Sequence, residues 1–315
     1  MSMKTNWTAA NIPSQVGRRA VITGSNSGIG FETALVLARK GTEVILPART
    51  QAKADDAAAR ILKQVPSAQL YPEILDLAVQ ASVHAFANRI VERFPGQSLD
   101  LLINNAGVMA LPTREVTADG FERQFATNYL GAFALTGLLL PSMKQRAGSR
   151  VVTVASAASN QGKIEFDNLQ SERVYKPMRA YSQSKLADLT FARELQRRLK
   201  AVGSPILSTA AHPGYAVTNL QADHLALWMK MTLAVMKPFL AQDAAHGALP
   251  TLYAAVAAEA VAGGYYGPDG FMEAKGNPRA ASIPKNALDE TVAKRLWLES
   301  ERLTSVKFGA LSDVP

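Results

Sequence analysis

Apolar residues along the chain fall into short β-branched runs that alternate with longer stretches whose apolar positions recur at helical spacing. Arg19 to Thr23 is apolar and β-branched and stops at a glycine, which predicts a buried strand. Thr42 to Leu46, Ala68 to Leu75, Leu99 to Ile103, Arg150 to Val154 and Pro205 to Ala211 read as further strands. Helical patterns separate them: Phe31 to Lys40, Ala54 to Gln64, Val79 to Phe94 and Ala180 to Lys200. Thr117 to Gly120 prepares a long helix that includes Asn128 and runs toward Leu140, where Pro141 bends or restarts it. Ala244 to Ala262 reads as another helix and Gly263 to Pro268 as a short last strand and turn. Asn286 to Thr304 is an amphipathic helix with Leu288, Val292, Leu296 and Leu303 on its apolar side. Strands alternating with helices predict an α/β fold, a doubly wound parallel sheet with right-handed crossovers and ligands at the carboxyl ends of its strands.

No repeat or interdomain linker interrupts the pattern, so one domain is expected over residues 1–315, with a C-terminal extension over 271–315. The exception in character is Asn219 to Leu240, where Trp228 and several methionines are interrupted by Lys230 and Lys237. This stretch reads three ways: a helical lid over an apolar substrate (219–242), a helix on a membrane surface, or plain core.

Composition narrows the function classes. A hydrophobic fraction of 48% and a charged fraction of 19% are those of an ordinary globular chain of 315 residues. The chain has no cysteine, which excludes disulfides, thiolate metal sites and thiol catalysis. His84, His212, His224 and His246 are scattered, so no metal is expected. The net charge of +8 is spread along the chain with no basic patch interleaved with aromatics, so nucleic acid is not an expected partner. The N-terminal stretch lacks the apolar core of a signal peptide, and no run reaches the ~18 apolar residues of a membrane span. A cytoplasmic protein without an integral span is expected.

Candidate chemistry begins at the first turn. Thr23-Gly24-Ser25-Asn26-Ser27-Gly28-Ile29-Gly30 lies between a strand and a helix, the context a dinucleotide site requires. Gly24 permits the turn, Gly28 the approach of a pyrophosphate, and Gly30 close packing of helix on strand. The anion would sit on the free N–H groups at the helix start. After the second strand stand Pro47, Ala48, Arg49 and Thr50, with no acid to hold ribose hydroxyls. Arg49, with Lys53 as a helper, suits a 2′-phosphate, so NADP is expected over NAD. Asp76, beside Leu77, either meets the adenine edge or caps the next helix. Asn105, Ala106 and Gly107 are small or amide residues at a strand end, suited to close cofactor approach. Ser156 ends the fifth strand at the same edge. Tyr181 and Lys185, four apart on a helix, share a face. A nearby ammonium favours a phenolate, which makes such a tyrosine a candidate acid/base for an alcohol oxygen.

Taken together these stretches resemble the short-chain dehydrogenase/reductase family, and within it the retinol-dehydrogenase-like and related bacterial oxidoreductases. The likeness rests on Thr23 to Gly30, Asn104 to Gly107, Asn128, Ser156, Tyr181 and Lys185, and on Pro213, Gly214 and Thr218 after the sixth strand. It covers roughly residues 18 to 270, with further likeness in Asp119 to Thr136, Ser182 to Leu199, Ala210 to Leu220, Tyr265 to Phe271 and Leu296 to Val306. The segment between Ser156 and Tyr181 is longer than in the shortest members, and Ala155 stands where many carry serine. No counterpart of the N-terminal membrane helix of animal retinol dehydrogenases is read. The resemblance implies a Rossmann-type fold and hydride transfer between a nicotinamide and an apolar aldehyde, ketone or alcohol. It makes Tyr181 the proton donor, Ser156 the group orienting the substrate oxygen, and Lys185 the residue that tunes Tyr181 and holds the ribose. Asn128 would anchor a water linking Lys185 to solvent. It also implies a homo-oligomer paired through the helices after the fourth and fifth strands. A cofactor-binding scaffold without turnover is the competing reading; a broken Ser-Tyr-Lys set would mark it, and here the set is intact.

Overall fold

The computed structural model describes residues 6–214 and 242–314. One eight-stranded sheet runs through it in the order β3-β2-β1-β4-β5-β6-β7-β8. The strands are β1 (Arg19–Ile22), β2 (Glu43–Ala48), β3 (Leu70–Ile74), β4 (Leu101–Asn104), β5 (Arg150–Val154), β6 (Leu207–Ala211), β7 (Tyr265–Pro268) and β8 (Pro278–Ala280). All neighbours pair in parallel except β8, which runs antiparallel to β7. The helices are α1 (Gly28–Arg39), α2 (Gln51–Leu62), α3 (Gln80–Arg93), α4 (Arg123–Phe125), α5 (Gly131–Leu139), α6 (Pro177–Ala201), α7 (Ala244–Val256) and α8 (Glu290–Thr304).

The continuous apolar strands are explained by burial on both faces. Alternate residues feed two cores. Val21, Leu102 and Val151 join the core under α3, α5, α6 and α8. Ala20, Ile22, Leu101, Ile103 and Val152 join the core under α1, α2 and α7. Strand order reverses between β1 and β4, so the loops leaving those two strands part and open a crevice at their carboxyl ends.

Three differences from the sequence pattern have physical causes. The helix expected to run unbroken past Asn128 starts at Arg123, widens into a π-helical turn over Ala126–Leu130 and continues as α5. The helix expected through Ala262 stops at Val256, because an alanine-rich run carries no periodic cue to its end. The amphipathic helix expected from Asn286 begins at Glu290, where the Asp289 side chain caps the Val292 N–H. The segment Asn219 to Leu240, with the proposed lid, lies outside the described residues, apart from Gln242 at its end.

The C-terminal extension packs on α5 and α6. Trp297, 1% exposed, and Phe308 stack among Phe133 and Phe191. Gly137 has no side chain because Val306 and Phe308 occupy the space, each 2.7 Å from where a Cβ would lie. Arg198 on α6 donates to the Leu311 carbonyl at 2.6 Å. These are the two helices on which the resemblance places subunit pairing, and in this chain α8 and the residues after it lie against them.

Candidate active site

The glycine turn and the Asn105 turn are locked together by one threonine. Thr23 Oγ1 accepts the N–H groups of Asn105 at 2.9 Å and Ala106 at 3.0 Å, and Asn105 Nδ2 donates to the Thr23 carbonyl at 2.9 Å. Gly24 (φ 69°) and Gly28 (φ 56°) take the left-handed conformation that glycine adopts at no steric cost. A Cβ on Gly30 would collide with the Gly24 carbonyl oxygen and the Asn105 amide, so α1 reaches the strand only because Gly30 has none. Arg60 on α2 steadies the turn: it donates to the Asn26 carbonyl at 3.2 Å and lies 4.0 Å over the Phe31 ring.

These residues fit a dinucleotide. Ser27 is the N-cap of α1 but its side chain makes no cap bond, so among the described residues no side-chain cap occupies the N–H groups at the start of α1. Ser25 Oγ is buried without a partner. At the end of β2, Arg49 and Lys53 are exposed and their side chains make no hydrogen bond or ion pair among the described residues. Thr50 instead caps α2 through the Lys53 N–H at 3.4 Å. Asp76 holds its own turn, accepting from the Ala78 N–H at 2.9 Å, while buried Leu77 backs onto Gly131. Pro213 and Gly214 close the far side: Gly214 takes φ 64°, and its N–H meets His212 Nδ1 at 3.3 Å. Thr218 lies outside the described residues.

Asn128 sits in the π-helical turn, and its amide is engaged at both ends. Oδ1 accepts from Val108 N at 2.7 Å; Nδ2 donates to the Val108 carbonyl at 2.9 Å and to Ser184 Oγ at 2.8 Å. The turn's extra residue brings this amide against the strand-end loop; such π-turns recur at functional sites. Asn128 thereby ties Val108, next to Gly107, to the helix that carries Tyr181 and Lys185.

Lys185 is 5% exposed, and its Nζ donates to the Val154 carbonyl and to Asp188 Oδ2, each at 2.8 Å. The position a Cβ would take on Gly107 lies 3.5 Å from that Nζ and 3.2 Å from Asn128 Oδ1, so the ends of β4 and β5 meet at this ammonium. Burial works against the Lys185 charge, but Asp188 and Tyr181 outweigh it and raise its pKa. Tyr181, one turn earlier, is half-buried. Ser156 caps the short turn after β5, accepting from the Ala158 N–H at 3.2 Å. Gly162 brings that loop onto α6, and Ser159 Oγ donates to the Lys185 carbonyl at 2.9 Å. The sequence-predicted groups that are described therefore lie beyond the carboxyl ends of β1 to β6 and on α6, with Asn128, Gly107 and Lys185 brought together. Asp188 was missed by sequence reasoning; its signal is an acid at i+3 from Lys185 inside an apolar helical run. Among the described residues no cluster of histidine or acid could hold a metal ion, and no helix is long and apolar enough to cross a membrane.

A family model described as short chain dehydrogenase matches residues 18–226. Retinol dehydrogenase 13 of Homo sapiens is 40% identical over 312 residues, 97% of this chain and 89% of that protein. A crystal structure of an uncharacterized protein from Mycobacterium Paratuberculosis superposes with a TM-score of 0.79 at 41% identity, covering 96% of this chain and 99% of that one. The fold is shared by a short chain dehydrogenase from Burkholderia cenocepacia solved in complex with NADP, at a TM-score of 0.61 and 22% identity, covering 79% and 95% of the two chains. The chain belongs to the short-chain dehydrogenase/reductase family and is similar within it to the retinol dehydrogenases.

Proposed function

We propose that this protein reduces apolar aldehydes or ketones to alcohols with a nicotinamide cofactor, preferring NADP(H) over NAD(H). The observation that carries the reading is Lys185: a buried ammonium at the joined ends of β4 and β5, beside Gly107 and one helical turn from half-buried Tyr181. A bound reduced nicotinamide supplies the hydride that the carbonyl carbon gains, and is oxidised as the carbonyl is reduced. Tyr181 gives its phenolic proton to the carbonyl oxygen and is reprotonated from solvent. Ser156, through its hydroxyl, orients that oxygen, a pre-placed donor where charge develops. Asn128 keeps the strand-end loop and α6 in register. Alcohol oxidation runs the same steps in reverse.

An apolar substrate is supported by the rim. Met178, 48% exposed, stands three residues before Tyr181 on the same helix, and Val174 just before it is 47% exposed. Phe271 and Met272 are each 79% exposed on the loop whose Ala274 carbonyl packs against Gly214. The name of the human relative, a retinol dehydrogenase, points to the same class of apolar alcohol and aldehyde. The phosphorylated cofactor is supported by Arg49, exposed at the end of β2, without a side-chain partner among the described residues and with no acid next to it in sequence.

Cofactor binding tests this first, by thermal shift and fluorescence, with NADPH and NADH in parallel, on the parent and on Arg49→Asp. Tighter NADPH binding that is lost in the variant is the expected result. Equal binding of both cofactors by the parent removes Arg49 from the reading, and binding of neither rejects the oxidoreductase reading.

A further inference from the structure

A carboxylate lies against Lys185 where the proposed chemistry has no use for one. Asp188 follows Lys185 by one turn of α6 and is 1% exposed. Its Oδ2 accepts from Lys185 Nζ at 2.8 Å, but its Oδ1 is buried and has no hydrogen-bond partner among the described residues. Its helix neighbours Leu186, Ala187 and Leu189 are core residues. A buried carboxylate with half of its acceptor capacity unmet is unfavourable, and an apolar residue of similar volume is easier to bury. Packing alone therefore does not account for the charge.

The surroundings limit what else can set the field at this point. Tyr129, from the π-helical turn, feels Asp188 but is pushed up by burial, and its hydroxyl is paired with Ser300 at 2.6 Å. Tyr265, from β7, feels Tyr181 and is likewise pushed up by burial. Both stay neutral at any working pH. Glu273 acts on Tyr265 from the loop after β7 and is bound to His212 at 3.0 Å. Val154 of β5 offers only its carbonyl. Among the described residues the charge coupled to Tyr181 is thus the Lys185 ammonium, and the Asp188 carboxylate is held to it.

An unopposed ammonium one turn from a phenol favours the phenolate. An ammonium paired with a carboxylate presents a dipole, whose field falls off faster than that of a single charge. Lys185 has three N–H donors, and Val154 and Asp188 fix two of them. We propose that Asp188 is a positioning residue that fixes the Lys185 ammonium and offsets the charge reaching Tyr181, so that the phenol keeps the proton it donates over a wider pH range. The inference rests on the roles given above to Tyr181 and Lys185. In this account Asp188 touches neither substrate nor cofactor and acts only through Lys185.

The test is a near-ultraviolet tyrosinate titration of the cofactor-free, full-length protein. Parent and Asp188→Asn are each compared with the same protein carrying Tyr181→Phe, so that the difference isolates the Tyr181 step. Thermal melts first establish that each protein is folded; Asp188→Ser, also uncharged, takes the place of Asp188→Asn if the latter does not fold. The expected result is a Tyr181 step about one pH unit or more lower in the uncharged variant, with Asp188→Glu returning it toward the parent. Coincident steps in folded parent and folded variant overturn the proposal. The titration needs neither cofactor nor substrate. A shifted step in a protein that binds no nicotinamide would reject the enzymatic reading while leaving the Asp188 coupling in place.

Discussion

Asp100 and Asp188 are equally buried aspartates at opposite edges of the same sheet, and their surroundings treat them in opposite ways. Asp100 precedes β4 at the edge where strands begin. Its Oδ2 accepts from the Arg19 N–H at 3.0 Å and Lys144 Nζ at 2.9 Å, and its Oδ1 from Arg146. Burial alone would raise its carboxyl, but the bonds from Lys144, Arg19 and Arg146 outweigh that and hold it below the usual carboxylate range. Asp188 has one cation on one oxygen and, among the described residues, no partner on the other, and burial pushes it up to about 6 despite Lys185. The difference lies in how completely each carboxylate is satisfied, and the incomplete one stands in the crevice. Full satisfaction is what a fastening needs; a half-satisfied charge beside an acid/base pair is what a tuned site tolerates.

The largest expected effect is on the fastening. Asp100→Asn leaves Lys144 and Arg146 beside an uncharged buried amide and should lower the unfolding free energy by about 3 kcal/mol, read from urea denaturation. Turnover per folded molecule should stay at the parent level, since nothing at the crevice changes. A loss of turnover per folded molecule would mean that the two ends of the sheet are coupled.

The pH dependence of the same measurements separates the two carboxylates by sign. A depressed group stabilises above its unfolded value, and that stability is lost as pH falls through the folded value. The stability gap between parent and Asp100→Asn should therefore close on acidification below its ordinary value of 3.8. A raised group contributes stability that is fully present below its unfolded value and lost as pH rises through the folded one. Parent stability relative to Asp188→Asn should therefore decline between pH 3.8 and about 6. Urea melts across that range check both signs, and gaps moving in the same direction would break the comparison.

A smaller effect is expected in kinetics. Carbonyl reduction needs the protonated phenol, so its rate falls on the alkaline side. In Asp188→Asn that alkaline limb should move to lower pH by about one unit, equivalent to about 1.4 kcal/mol, while the limb for alcohol oxidation extends to lower pH. The cations sharpen the contrast further. Arg146 is tied to Asp100, whereas Arg49 is tied to nothing described. Arg49→Asp should change stability by no more than about 0.5 kcal/mol, yet reduce the preference for NADPH over NADH about tenfold or more. Melts and parallel binding isotherms measure the two.

How much of this was legible in the sequence follows from what each signal encodes. Gly24 and Gly28 take left-handed backbone that favours glycine, and Gly30 leaves no room for a Cβ, so the turn could be read directly. The apolar strands could be read because both of their faces are buried. The π-helical turn at Asn128 could not, because five residues of wider helix leave no periodic trace in an apolar stretch. β8 spans only three residues and includes a proline, so no pattern announced it. Asp188 was hidden for another reason. Its i+3 spacing from Lys185 is plain, but spacing does not distinguish a solvated pair from one sealed under Val154 and Gly107. Nor did the sequence show that the C-terminal extension would lie on α5 and α6, since Trp297 and Phe308 find Phe133 and Phe191 only through the tertiary fold.

The most direct measurement is consumption of NADPH in the presence of a long-chain apolar aldehyde by the parent protein and by Tyr181→Phe. The account predicts steady turnover by the parent and a rate lower by about a hundredfold or more in the variant, with melting temperature and NADPH affinity unchanged. A Tyr181→Phe protein that binds NADPH and reduces the aldehyde as fast as the parent would contradict it.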